Sequence, residues 1–237
     1  MSRLGNREPE AVVALARACA EDQHLALAGV WTHFATADEP DSEFFDEQLD
    51  RFSEVAGAVR SEFPAVTVHA ANSAAVFREP RAHFDMVRCG VAVYGLDPFQ
   101  DDPAPHGLQP ALTLATYVAE VKPIAPGQSA GYGRRFVADA PGWLATLPIG
   151  YADGVRRGLT NNADVLIGGR RMPLAGTVSM DNITVLVPES VQRGQEAVLI
   201  GAQGQERILA EEVARRLQTI NYEVTCGISA RVPRAYG

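Results

Sequence analysis

The stretch FDMVRCGVAVYGLDP, Phe84 to Pro98, decides how the chain is read. An apolar run (Phe84, Met86, Val87) has the makings of a buried strand. It delivers one arginine, Arg88, and breaks at Gly90 before a second apolar run, Val91 to Tyr94. A glycine here lets backbone approach a ligand closely, and free N–H groups after a strand end can cradle a phosphate as helix N-termini do. Taken alone, the same residues also describe a core strand carrying one salt-bridged arginine.

Upstream, helix and strand patterns alternate. Glu8 to Asp22 has apolar residues near helical spacing (Val12, Val13, Leu15, Ala16, Cys19), and the apolar run Leu25 to Trp31 follows as a strand. Polar THFATADEP, Thr32 to Pro40, is a loop. Asp41 or Ser42 can cap a long helix carrying Phe44, Phe45, Leu49, Phe52, Val55 and Val59, which stops before Pro64. Val66 to Val68 is a short strand, and Asn72 or Ser73 can cap a short helix through Phe77. This is the pattern of a parallel sheet built from βα units, in which chemistry collects at the C-terminal ends of strands. Arg3, His33, Asn72, Ser73 and Arg88 all fall at such ends.

From Asp97 to Pro110 the composition shifts to Pro, Asp and Gly, as in a linker. Beyond it come short strand-like runs punctuated by Gly, Pro and Asn: Leu112 to Val121, Trp143 to Pro148, Ala163 to Ile167, Met172 to Gly176, Ile183 to Val187 and Ala197 to Ile200. One helix, Ile208 to Leu217, lies among them. The expected fold class is therefore α/β plus mostly β, with residues 1–108 and 109–237 as the two domains.

Composition narrows the function. A net charge of -8, with no long basic run, argues against nucleic acid as a partner. No stretch approaches the roughly 20 apolar residues of a membrane span and no signal peptide opens the chain, so the expected location is cytoplasmic. The cysteines Cys19, Cys89 and Cys226 are odd in number and lack metal-like spacing, which points to reduced thiols and to no metal site. Among the 21 basic residues the one lysine is Lys122.

Five motifs in one order, THFATADE at Thr32 to Glu39, NSAA at Asn72 to Ala75, the Arg88 stretch, IGYADG at Ile149 to Gly154 and SMD at Ser179 to Asp181, resemble alanine racemase. The resemblance runs from Met1 to Tyr236. It implies a partial (β/α)8 TIM-like barrel followed by a C-terminal β domain, pyridoxal 5'-phosphate as cofactor, alanine as substrate and a homodimer with shared active sites. It implies interconversion of L- and D-alanine by two bases, supplying D-alanine to peptidoglycan.

The same resemblance assigns roles to residues that have plainer readings alone. His33, by itself a hydrogen-bonded structural histidine, would bond Arg88, which would face the cofactor's pyridine nitrogen. An arginine keeps its proton at any working pH and should leave that nitrogen unprotonated, which limits delocalisation of the carbanion and suppresses side reactions. Ser73, by itself an N-cap, would hold the phosphate with the backbone of Gly90 and Val91 and with Tyr222, by itself a half-buried strand residue. Arg3 would take the phenolic oxygen. Tyr132, between Gly131 and Gly133 and otherwise a packing tyrosine, would be the base removing the α-proton of L-alanine in the partner subunit's site. Such a phenol, of ordinary pKa about 10, needs cationic neighbours to act at neutral pH. Tyr151, Met180 and Asp181 would line the shared entrance, with Met180 near the substrate carboxylate; alone they read as a turn and a core residue. Ser179 and Gly131 depart from the family's usual cysteine and serine, at positions outside the proton transfers.

The motif carrying the Schiff-base lysine is absent. Lys122, in VAEVKPIAPG, matches a different family position and reads as a solvated lysine. Three or four strands also cannot close a barrel of about eight, so the chain is expected to be the C-terminal portion of a longer racemase and inactive alone. A racemase for serine or for several amino acids would share the catalytic set. A non-catalytic module that binds cofactor or mediates dimerisation is the alternative of another class.

Overall fold

The computed structural model describes residues 1–187 and 191–236. The chain divides into two compact units, Met1–Val93 and Tyr94–Gly237.

In the first unit, helix α1 (Pro9–Glu21) precedes strand β1 (Gly29–Trp31), helix α2 (Phe44–Glu62), strand β2 (Thr67–His69) and helix α3 (Ser73–Arg78). The strands pair in parallel, Gly29 against Thr67 and Trp31 against His69. Gly29 is needed because a Cβ there would stand 2.9 Å from the Thr67 carbonyl oxygen. The core is one face of α2 (Phe45, Leu49, Phe52, Ala56, Val59) at the spacing of an amphipathic helix.

Several expectations for this unit change. The strand expected over Leu25 to Trp31 forms only at its end, and Leu25 is exposed. The run Phe84 to Val87 is not a buried strand. Phe84 turns with φ +48 to set its ring edge-on against Phe52, and Met86 and Val87 are exposed. The segment still tracks β2, through a parallel bridge between Met86 and His69 and through bonds from the Asp85 and Arg88 N–H groups to the Val68 and Ala71 carbonyls. Neither Asp41 nor Ser42 caps α2: Glu43 stands at that position in helical conformation. The reason lies in Arg78, whose guanidinium takes the carbonyls of Thr36, Glu39 and Ser42 and fixes the preceding loop. Val91–Tyr94 is a short 3-10 turn.

The second unit is antiparallel. Strands β3 (Leu114–Tyr117), β4 (Glu120–Ile124), β5 (Ser129–Ala130), β6 (Phe136–Val137), β7 (Gly142–Leu147), β8 (Asp164–Ile167), β9 (Arg170–Pro173), β10 (Ile183–Val187), β11 (Glu196–Gln203) and β12 (Glu206–Ile208) form a sheet in the order β10-β7-β4, another in the order β12-β11-β8-β9 with β3 also on β11, and the small hairpin β5-β6. Leu147, Leu166, Ile167, Ile183 and Val198 are fully buried between these elements. Helices α4 (Ala210–Leu217) and α5 (Asn221–Cys226) follow. Tyr222 lies on α5, not on a strand, because the bonds of Glu223 and Val224 N–H to the Ile220 carbonyl start a helix there. Lys122 sits exposed on β4, opposite Leu144.

The fold is thus α/β followed by mostly β. Among the described residues no helix is long and apolar enough to cross a membrane, and no group of three or more His, Cys, Asp and Glu could hold a metal ion.

Candidate active site

The sequence-selected residues fall into two sets, one in each unit. In the first unit Ser73 meets the Gly90 backbone, and His33 meets Arg88. This side chain comes off the segment following β2 and reaches across the C-terminal ends of β1 and β2. Its Nη1 donates to His69 Nδ1 at 2.7 Å, and its Nη2 faces the Thr32 carbonyl at 2.8 Å, the Ala70 carbonyl at 3.0 Å and His33 Nδ1 at 3.3 Å. The Trp31 ring lies 5.2 Å beneath the guanidinium and is stacked on His69. Nε takes no part in these bonds.

Both histidines accept from Arg88 at Nδ1, which requires neutral rings protonated at Nε2. The surroundings enforce that state. Burial first, then the charges of Arg88 and Arg3, hold His33 below its ordinary pKa of 6.5. Burial and Arg88 do the same to His69. The charge of Arg3 therefore reaches His33, although the sequence at Arg3 forms no strand end.

His69 is the residue that sequence reasoning missed, and its bond to Arg88 is shorter than that of His33. The available signal was its place at the end of β2, the rule that selected His33 at the end of β1.

Ser73 does more than end a helix. The cap of α3 is Asn72, whose Oδ1 accepts the Ala75 N–H at 3.0 Å. This frees Ser73, 3% exposed, to accept the N–H groups of Gly90 at 2.9 Å and Ala92 at 3.3 Å on its hydroxyl oxygen. With its lone pairs engaged by two donors, the hydroxyl has its own proton left to give. A Cβ on Gly90 would meet nothing within 4 Å, so the backbone borders open space, while Val91 beside it is buried. A serine proton, an open glycine backbone and an arginine suit a phosphorylated pyridine: these residues fit pyridoxal phosphate.

In the second unit, Tyr132 begins a short 3-10 turn, Tyr132–Arg134, between Gly131 and Gly133, both at φ +71. A Cβ on Gly131 would lie 2.8 Å from the Thr177 backbone nitrogen, so only glycine allows the turn to pack there. The Tyr132 carbonyl accepts from Thr177 Oγ1 at 2.6 Å while the side chain stays 74% exposed.

Tyr151 and Met180 are brought together by backbone: Tyr151 N–H bonds the Ser179 carbonyl at 3.0 Å and Ala152 N–H the Met180 carbonyl at 3.1 Å. Gly150 permits this approach, since a Cβ would be 2.3 Å from both carbonyl oxygens. Arg231, unremarked in the sequence, pairs with Asp181 at 2.6 Å and with Asp153 at 3.3 Å. Tyr222 is exposed on α5, not half-buried.

The fold thus defines a two-part class of protein: a parallel βα unit with a cation and a serine hydroxyl at its strand ends, followed by an antiparallel β domain that displays tyrosines. Comparison with known proteins gives the particular family. Residues 1–98 match the family described as "Alanine racemase, N-terminal domain" and residues 111–236 match "Alanine racemase, C-terminal domain". The chain belongs to the alanine racemase family. It is 48% identical over 244 residues to an alanine racemase of Symbiobacterium thermophilum, all of this chain aligning with 63% of that protein. Among solved structures, alanine racemase from E. faecalis superposes with a TM-score of 0.93 at 38% identity, covering 100% of this chain and 63% of that one. Alanine racemase from Bartonella henselae, solved with covalently bound pyridoxal phosphate, gives 0.86 at 30% identity and covers 100% and 64%. The chain thus spans somewhat less than two thirds of the length of these relatives.

Proposed function

We propose that this chain supplies the cofactor-anchoring end and one proton-transfer base of an alanine racemase acting on L- and D-alanine. The observation carrying the reading is the Arg88 cluster, a cation held by two histidines kept neutral. When bound, pyridoxal phosphate supplies the electron sink that acidifies an amino acid's α-proton. Arg88 presents a donor that does not give up its proton to the pyridine nitrogen. Ser73, with the Gly90 and Val91 backbone, would hold the phosphate, and Arg3 would take the phenolic oxygen. Tyr132 moves the proton on one face. Its exposed, glycine-flanked placement supports a role across a homodimer interface, where Tyr151, Met180 and Asp181 line the approach for alanine. Residues 1–108 serve cofactor binding, and 109–237 bring the tyrosine and the dimer contact. The product serves peptidoglycan, in the cytoplasm.

Racemisation also needs a lysine to carry the cofactor, and Lys122, exposed on β4, is a poor candidate. This favours a second reading for the isolated chain, a non-catalytic module that binds cofactor. The deciding experiment incubates the purified chain with pyridoxal phosphate and L-alanine. We expect no D-alanine, even where borohydride reduction leaves a pyridoxyl adduct on an exposed amine. D-Alanine together with an adduct on Lys122 would overturn the lysine argument. Failure of the unmodified chain to bind pyridoxal phosphate at all, while Arg88→Met binds no less, would overturn the cofactor assignment.

A further inference from the structure

Past Trp31 the ladder between β1 and β2 stops, yet the backbone beyond it is not left open. The Gln48 side chain on α2 accepts the Ala35 N–H at Oε1, 3.1 Å, and donates from Nε2 to the His33 carbonyl at 2.9 Å and to Thr32 Oγ1 at 3.2 Å. The His33 carbonyl and the Ala35 N–H flank Phe34 and are the pair a parallel neighbour would engage. One side-chain amide thus replaces a strand. Phe34 is buried against Phe45, one turn before Gln48 on the same helix, so the segment is gripped by packing and by hydrogen bonds together.

The gripped residues are those that face Arg88: the Thr32 carbonyl and His33 Nδ1 both meet Nη2. We propose that Gln48 is a positioning residue, whose amide stands in for a strand neighbour and fixes Thr32 and His33 so that both point at the Arg88 guanidinium. Its importance to catalysis rests on the racemase reading. Its geometry does not, and it can be tested without cofactor or turnover. His69 serves as an internal control, because its bond to Nη1 involves nothing that Gln48 touches.

The test is an imidazole titration by NMR of the full chain, wild type, Q48M and Q48N, the last keeping an amide one methylene too short. In both variants His33 should become half-protonated at higher pH, toward the ordinary 6.5, as its ring swings from Arg88 into water, while His69 titrates unchanged. Exchange of the Ala35 amide should quicken by roughly tenfold on losing its acceptor. Folded variants with an unaltered His33 titration would overturn the proposal. So would His33 and His69 shifting together, which would signal general loosening, or an Ala35 amide that already exchanges freely in the wild-type chain.

Discussion

Arg88 in the first unit and Tyr132 in the second are held in opposite ways. Arg88 is fixed by its own side chain, through two imidazoles, two carbonyls and an aromatic face. Tyr132 is fixed by its backbone, between two glycines and under one threonine, and its phenol is left in solvent. The first arrangement builds a chemical environment within one unit, whereas the second only aims a side chain. The units differ in support as well. Two short parallel strands carry the Arg88 cluster, while Tyr132 and Tyr151 lie in turns between antiparallel strands that bury Leu147, Leu166 and Ile183. Pre-organised chemistry thus sits on the thinner scaffold.

The largest test of that contrast removes core volume from the β domain. Leu166→Ala, at a fully buried position of β8, should cost about 2–5 kcal/mol. Each unit has one tryptophan, Trp31 and Trp143. Denaturant melts of the W31F and W143F chains therefore follow the units separately, and Leu166→Ala should move the Trp143 transition while leaving that of Trp31 in place. Equal movement of both would erase the distinction. Next in size, Ser73→Ala removes the acceptor of the Gly90 and Ala92 N–H groups, which water can partly replace, and should destabilise the first unit by about 0.5–1.5 kcal/mol, read from Trp31.

A smaller effect is pH-dependent. His33 and His69 have folded-state pKa values below their ordinary 6.5, so near and below that pH the unfolded chain binds protons more readily than the folded one. Their contribution is fully present above pH 6.5 and is lost as pH falls through the folded values. The Trp31 midpoint should decline across that window, and replacing both histidines by glutamine should flatten the decline. A midpoint that rises on acidification would reverse the assigned sign. The smallest change is expected from Arg17→Ala. Its paired bonds to Glu62, 2.7 and 2.5 Å, lie in solvent, and the Trp31 midpoint should barely move. A clear loss would mean that the first unit depends on its surface more than its α2 core suggests.

Much of this was legible beforehand because it rests on local patterning. The apolar stripe of α2 fixed that helix to within a turn, and the run Ile183 to Val187 formed as read. The family resemblance, carried by motifs around His33, Ser73, Arg88 and Tyr151, held over the whole chain. Hydrophobicity misled where it was read without geometry. Phe84 to Val87 looked like a buried strand, but one residue in the left-handed region turns it into an exposed edge tracking β2.

The sequence by itself determined the order of most elements and the family. Such information is written in periodicity and in short motifs, whose meaning does not depend on distant residues. Only the tertiary structure decided that His69 is the nearer partner of Arg88, that Asn72 and not Ser73 caps α3, and that Gln48 completes the end of β1. Each of these is a hydrogen bond whose partner is chosen by reach and direction once strands and helices are packed, and spacing along the chain carries neither.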